Sequence, residues 1–215
     1  GKSSLAIRLA KKINGVIINA DSMQVYSNLN ILTARPSKKD LLEIKHKLYG
    51  YVDAEVRYNV SNWCNDVLKI IESNEKNNFP SIIVGGSGMY IDSLLNGLIP
   101  IPPILEKYKN DSLSLVKEVG TKKFIEIINK FDPESLSKIS LHDTSRMRRI
   151  WEVYQSTGKK YSYWKNKKNK IFLKNFSYKT FLFIPPRDDI YKKINSRFNE
   201  MINEGAIEEV KKLIL

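Results

Sequence analysis

Val16-Ile17-Ile18-Asn19-Ala20-Asp21-Ser22-Met23-Gln24-Val25-Tyr26 is the stretch on which the reading of this chain turns. A β-branched apolar run ends abruptly in Asp21-Ser22. Such a run is how a parallel strand buried on both faces reads, and its carboxyl end is where open α/β sheets bind ligands. Upstream, the chain opens on Gly1-Lys2-Ser3, the closing letters of the phosphate-binding loop G-x-x-x-x-G-K-[ST]. Between the two, Leu5, Leu9 and Ile13, with Ala6 and Ala10 beside them, predict an amphipathic helix over residues 2–13, ended by Asn14-Gly15 with the glycine as C-cap. A phosphate cradle and a carboxylate are therefore expected at one crevice.

Downstream, residues 27–59 are less regular: Arg35-Pro36-Ser37 reads as a turn and Asp40 to Leu48 as a short helix. Ser61 is the expected N-cap of a helix carrying Trp63, Val67, Ile70 and Ile71 at helical spacing. Ser81-Ile82-Ile83-Val84 reads as a second buried strand, ending in Gly85-Gly86-Ser87-Gly88 and a helix from Met89 to about Asn96. Pro100-Ile101-Pro102-Pro103 marks a boundary, beyond which residues 104–157 read as helices only, among them residues 121–131, one opened by Asp132-Pro133-Glu134, and one from Asp143-Thr144 to Thr157-Gly158. Lys159 to Asn175 is basic and aromatic. Phe181-Leu182-Phe183-Ile184 is the expected third core strand, with a last helix from about Asp189. The architecture predicted is α/β. A P-loop NTPase-like parallel-sheet core (residues 1–103 and 176–215) is interrupted by an all-helical insertion (residues 104–175).

Composition narrows the function. The 36 Lys and Arg against 23 Asp and Glu leave a net charge of +13, which suits a polyanionic partner such as nucleic acid. The single cysteine, Cys64, excludes an internal disulfide and fits a reducing compartment. With neither a signal peptide nor a membrane span in view, a cytoplasmic protein with no membrane partner is expected, and nothing in the pattern asks for more than a monomer. The first half of the phosphate loop and its strand are missing, and the chain stops inside a helical pattern at Lys211 to Leu215, so a fragment of a longer protein is expected. A serine hydrolase is a poor fit, because G-x-S-x-G would need glycine at Met89 and no motif places His46 or His142. No Cys/His cluster exists in the sequence to suggest a zinc site.

Several groups remain that can carry chemistry. Lys2 offers a point charge to phosphate and Ser3 a hydroxyl to a magnesium ion. Asp21 reads either as a turn cap or as a general base beside the phosphates, and a nucleotide kinase binding ATP would want the same aspartate for magnesium. Ser87 offers a hydroxyl at the same edge. In Asp143-Thr144-Ser145-Arg146-Met147-Arg148-Arg149, the spacing turns Met147, Ile150, Trp151 and Tyr154 to a core and Arg146 and Arg149 to another face. Arg148 is spaced to pair with Glu152. Tyr161, Tyr163 and Trp164 interleave with six lysines between Lys159 and Lys170, a mixture that suits single-stranded RNA as well as a solvated loop. Arg187 and Arg197 sit about three turns apart, so one of them can face the phosphate crevice or both an exposed surface.

These residues together resemble the tRNA dimethylallyltransferase (isopentenyl transferase) family. The matching blocks are Gly1-Lys2-Ser3, Ile18 to Tyr26, Thr33 to Ser37, Ile83 to Tyr90, Asp143 to Gly158, and Pro186-Arg187 through Ile194, Arg197, Met201, Gly205, Glu209, Val210 and Leu213. The resemblance implies transfer of a dimethylallyl group from dimethylallyl diphosphate to N6 of the adenosine 3′-adjacent to the anticodon, in tRNAs reading codons that begin with U. By the family pattern Asp21 takes the amine proton. Gly1, Lys2, Ser3 and Arg197 hold the diphosphate, with magnesium bridging it, and Ser87 assists that group or the adenine. Asp21, Ser22, Met23, Gln24 and Ser87 contact the flipped-out base, while Lys109 and Ser145, Arg146, Met147, Arg148 and Arg149 grip the anticodon stem-loop. The sequence departs from the pattern at Leu32 (usually glycine), Ser87 (threonine), Lys109 (arginine) and Ser145 (glutamine). A P-loop kinase of a small molecule or nucleotide and an inactive tRNA-binding fragment are the alternatives.

Overall fold

In the computed structural model, which describes residues 1–214, helix α1 (Lys2–Ile13) buries Ala6 and Ala10. It ends one residue earlier than its glycine suggests. Asn14 itself takes the left-handed conformation (φ 51°) and donates its N–H to the Ala10 carbonyl. An asparagine tolerates that region better than most side chains. Strand β1 (Val16–Asn19) follows, buried at all four positions.

The expected helix from Asp40 to Leu48 is corrected. Helix α2 (Lys38–Glu43) starts earlier, on a capping box in which Ser37 and Asp40 bond each other's backbone N–H, and stops at Glu43. Ile44 turns extended and the chain continues as strand β2 (His46–Lys47), because β1 offers a ladder: Ile17 donates its N–H to the Lys45 carbonyl at 2.9 Å. Helix α3 (Val60–Lys76) is capped by Asn59 rather than Ser61; the asparagine side chain accepts from the N–H groups of Ser61 and Asn62. Its inner face carries Trp63, Cys64, Val67 and Ile71. Strand β3 (Ser81–Val84) pairs in parallel with β1, with Ile17 opposite Ile82, and the sheet order is β2-β1-β3. Helix α4 (Gly88–Asn96) leaves the glycine turn after β3.

The next elements are helical. Helix α5 (Glu106–Phe131) breaks at Gly120, whose φ of 76° is a conformation only glycine adopts freely, so the arm after it matches the helix expected over residues 121–131. Helices α6 (Pro133–Leu136), α7 (Thr144–Thr157) and α8 (Tyr161–Lys165) complete the bundle. Its core is Phe124, Ile128, Leu136, Met147 and Ile150, each such side chain contributing about 1.5–3 kcal/mol on burial. Asp132, fully buried, accepts from the N–H of Ser135, from the Ser135 hydroxyl at 2.8 Å and from the N–H of Ser162 at 3.0 Å. Those bonds outweigh the burial that opposes ionisation and hold the carboxyl below its usual range.

The chain then returns. The third core strand expected at Phe181 to Ile184 does not form: Phe181, Leu182 and Ile184 are 77%, 83% and 77% exposed, and no ladder partner meets them among the described residues. An apolar run supplies the strand pattern, but a strand exists only where a neighbour takes its backbone hydrogen bonds. Helix α9 (Arg187–Asn203) starts two residues before Asp189 and buries no residue, and helix α10 (Ala206–Ile214) packs on it. Leu215, the end of the expected helical pattern, lies outside the described residues.

Residues 1–96 with 171–214 form one compact unit and residues 97–170 another. Sequence character changes at Pro103 and near Phe176, but the units divide at Gly97 and Ile171. Leu98 and Lys170 exchange backbone bonds at 3.2 and 2.8 Å and so close the helical unit on itself, while Phe172 and Leu173 are buried in the sheet unit.

Candidate active site

Two backbone turns lie against each other at the carboxyl edge of the sheet. One follows β1 and carries Asp21 to Gln24; the other follows β3 and carries Gly85 to Gly88. A Cβ on Gly85 would stand 2.1 Å from the Ala20 oxygen and 2.7 Å from Ala20 Cα, so only glycine fits this approach. Ser87 donates its N–H to the Ala20 carbonyl at 3.2 Å. Its hydroxyl accepts the Ser22 N–H at 2.8 Å and donates to Ser22 Oγ at 3.1 Å. Sequence positions more than sixty residues apart are thereby joined through one hydroxyl.

Asp21 is held from below by Asn19, which the sequence reading passed over. Asn19 is fully buried at the end of β1. Its Oδ1 accepts the Asp21 N–H at 2.8 Å, and its Nδ2 donates to the Asp21 carbonyl at 3.0 Å and the Leu48 carbonyl at 2.9 Å. Its own carbonyl takes the Trp63 indole N–H at 2.8 Å, and Trp63 stacks on Tyr90 at 4.6 Å. A polar side chain inside an otherwise apolar buried strand was the available signal, since such a group must find partners. Asp21 Oδ1 accepts the Met23 N–H at 2.9 Å, the turn-capping role its position suggests, and no bond among the described residues engages Oδ2. Asp21 thus has one oxygen structured and one to offer.

Tyr49 was not anticipated either. Burial first, and then the charge of Asp21, push its phenol well above the ordinary tyrosine range, so it remains a neutral donor. The Tyr90 phenol is raised to about 12, chiefly by burial, with Tyr26, Cys64 and Asp21 adding to it. Tyr49 lines a cavity of about 110 Å³ with Ser3, Gln24, Arg35 and His46. Ser3 and Gln24, distant in sequence, therefore share one space.

Gly1, Lys2 and Ser3 are exposed at the start of α1, where no side chain caps the helix. Free N–H groups and the positive end of the helix dipole make that position receptive to an anion. Lys2 Nζ reaches to 3.9 Å of where a Cβ on Gly86 would stand, which brings the lysine to the glycine turn. Ser22 is partly buried and Met23 is 51% exposed at the mouth. Gln24 donates Nε2 to the carbonyls of Thr33 at 2.7 Å and Ala34 at 2.9 Å, so it offers a ligand only its oxygen. Arg197 is exposed on α9, and no hydrogen bond or ion pair among the described residues ties it to Lys2 or Asp21.

In the helical unit, Asp143 caps α7 through the Arg146 N–H at 2.9 Å and also pairs with Arg146 Nε at 3.3 Å. Arg146 and Arg149 line one cavity of about 270 Å³ with Lys138, Tyr161 and Lys165, the shared face that their spacing suggested. Ser145 is exposed beside them. Met147 is corrected: it is fully buried among Phe124, Ile128 and Ile150, so it packs the helix and has no surface to offer RNA. The Arg148–Glu152 pair is corrected too. Glu152 is buried and its Oε1 accepts the Ser112 hydroxyl at 2.8 Å, while Arg148 Nε is buried without a partner among the described residues. Lys109 is held by Glu106 at 2.7 Å.

Comparison with known proteins gives this edge a context. The family model described as IPP transferase matches residues 24–215. The chain is 42% identical to the tRNA dimethylallyltransferase of Pelagibacter ubique and 36% identical to that of Hyphomonas neptunium, in each case over all of this chain and 68% of the relative. Among solved structures it is similar to a eukaryotic dimethylallyltransferase acting on tRNA, with a TM-score of 0.80 and 28% identity; all of this chain matches 53% of that one, about half its length. It is also similar to a tRNA isopentenylpyrophosphate transferase from Staphylococcus epidermidis, with a TM-score of 0.60, 30% identity and 69% of that chain covered.

Proposed function

The chain belongs to the IPP transferase family, and on that premise we propose that it transfers a dimethylallyl group from dimethylallyl diphosphate to N6 of the adenosine 3′-adjacent to the anticodon, in tRNAs reading codons that begin with U. The observation that carries this reading is the convergence of Lys2, Asp21 and Ser87 on one sheet edge through the Gly85–Ala20 contact. The relatives' activity disfavours a small-molecule kinase.

In this reading the N6 lone pair attacks the allylic carbon, and the carbon–oxygen bond breaks with its electron pair leaving on diphosphate. Asp21 takes the proton the amine sheds, through the oxygen that its own turn does not use. Lys2 and the amides that open α1 stabilise the negative charge growing on the departing diphosphate. Ser87 holds the Ser22 backbone and so fixes the turn that presents Asp21. A buried Asn19 and a stacked Trp63 keep that turn from adjusting, which places the base before substrate arrives.

Magnesium fits as a substrate-borne ion. No group of three or more His, Cys, Asp or Glu suited to a metal lies among the described residues, whereas Mg²⁺ is commonly held by substrate phosphates and water with one or two protein oxygens. The exposed Ser3 hydroxyl at the start of α1 is the protein oxygen that would join it. The ion would neutralise charge on the diphosphate. Arg146 and Arg149, with Lys109, Ser145 and Arg148 near them in sequence or on the same helical unit, would grip the anticodon stem-loop through phosphates. Arg197, exposed on α9, would join the diphosphate. No helix among the described residues is long and apolar enough to cross a membrane. A cytoplasmic monomer acting on tRNA is part of this proposal.

The test is incubation with magnesium, labelled dimethylallyl diphosphate and an anticodon stem-loop, followed by nucleoside analysis. Label on N6 of that single adenosine is expected. RNA binding without label would leave a tRNA-binding chain that lacks the transfer activity, and ATP-dependent phosphoryl transfer would restore the kinase.

A further inference from the structure

A carboxylate from the far end of the chain holds the loop on which Gln24 depends. Glu209, on α10, accepts three consecutive backbone N–H groups: Asn30 at 2.6 Å and Ile31 at 2.9 Å on Oε1, and Leu32 at 2.9 Å on Oε2. The loop is otherwise closed on itself. Thr33 Oγ1 donates to the Leu29 carbonyl, Arg35 Nε donates to Asn30 Oδ1, and the Ala34 and Arg35 N–H groups return to Ile31 and Asn30. What it presents to the site are the carbonyls of Thr33 and Ala34, and both take Gln24 Nε2. The two donors of that amide are thereby used, and only its oxygen remains for a ligand.

We infer that Glu209 is a positioning residue for base selectivity: by pinning residues 30–32 it holds the Thr33 and Ala34 carbonyls against Gln24 and fixes the glutamine as an acceptor toward the base. An acceptor at that point selects a base edge that donates, such as the amine of adenine, and rejects one that accepts, such as guanine O6. A glutamine free to turn its amide over would serve either. Three charge-assisted bonds to adjacent amides are strong enough to determine the loop, and their partner lies 177 to 179 residues away, so this is tertiary design rather than local turn chemistry. The inference rests on the transferase reading for the identity of the base, and on the bond pattern alone for the link between Glu209 and Gln24.

Glu209→Gln is nearly isosteric but presents one acceptor oxygen and an NH₂ that opposes the amides. It is compared with wild type, Gln24→Ala and the double variant. Two readouts are used: the Gln24 side-chain amide resonances with hydrogen exchange of residues 30–34, and equilibrium binding of anticodon stem-loops carrying adenosine, guanosine or purine riboside at the modified position. In wild type the Gln24 amide protons are expected to be slowly exchanging, with adenosine preferred over purine riboside by about tenfold, the scale of one buried hydrogen bond. Glu209→Gln is expected to bring the resonances to solvent-exposed values and to cut that preference to within about twofold. Gln24→Ala should do the same to the preference, and the double variant no more than either, as for two residues acting through one contact. Unchanged Gln24 resonances in Glu209→Gln, or additive losses in the double variant, overturn the proposal. A wild-type chain with protected Gln24 amides but no preference for adenosine overturns the selectivity claim while the bond between loop and helix stands; the transferase reading fails separately, by absence of label on the adenosine.

Discussion

The turn after β1 and the basic face of α7 both carry residues assigned to RNA, yet they are built in opposite ways. Around Asp21 almost every polar atom has a partner: Asn19 brackets its backbone, Ser87 holds Ser22, and Gln24 is tied to two carbonyls. On α7, Arg146 is 72% exposed with one partner, Asp143, and a surface pair of that kind contributes little. The first region is fixed before a ligand arrives, and the second is a charged surface that a ligand can organise. The difference teaches where chemistry and where grip reside. Reacting groups need a set geometry. Phosphate contacts need chiefly charge, and their strength falls with salt.

The largest effect expected is from Asp21→Asn, which keeps an oxygen for the Met23 N–H but removes the base. Transfer rate should fall by about 100- to 10,000-fold with melting temperature unchanged, as measured by single-turnover label transfer and calorimetry. Gly85→Ala comes next. Its methyl would meet Ala20 backbone at 2.1 Å, so the two turns must part. A loss of about 1–3 kcal/mol is expected in denaturant unfolding, with a parallel loss of activity. Arg146→Ala and Arg149→Ala should each weaken stem-loop binding severalfold and lower the slope of log K against log salt by about one, leaving the rate at saturating RNA unchanged. The smallest effect is on acid stability. Burial opposes ionisation of Glu209, but its three amide partners and Arg35 hold the carboxyl below the usual glutamate value. A depressed folded value means its contribution is present above the ordinary glutamate range and is lost as pH falls through the folded value. Glu209→Gln should therefore flatten the acid limb of a pH–stability curve, and a curve parallel to wild type would break the link between loop and helix.

Much of this was legible because local rules were obeyed. Val16 to Ile18 read as a buried strand and are; Ser81 to Val84 form the expected strand but are only partly buried, and the glycine turn after Val84 arrives beside Ala20 as a sheet edge requires. The α7 pattern turned Met147 and Ile150 to the core and brought Arg146 and Arg149 to one cavity, whose wall Ile150 also joins. What failed depended on partners that one sequence does not display. Ile44 to Lys47 became extended because β1 had an open side, and Phe181 to Ile184 take no ladder partner among the described residues. Arg148 and Glu152 have the right spacing, but Ser112, forty residues away, takes the glutamate. Glu209 was visible only as a member of a family pattern, since no local signal says that a helix carboxylate will meet three amides of a distant loop.

The comparison between the two regions comes down to one measurement: the single-turnover transfer rate at saturating stem-loop RNA, taken with binding affinity, for Asp21→Asn beside the Arg146→Ala/Arg149→Ala double variant. The account predicts a rate at least about 100-fold lower at unchanged affinity for Asp21→Asn, and an unchanged rate with weaker, less salt-sensitive binding for the arginine variant. An Asp21→Asn enzyme that turns over at the wild-type rate once RNA is saturating would contradict it, because the carboxylate at the end of β1 would then be only a cap for its turn.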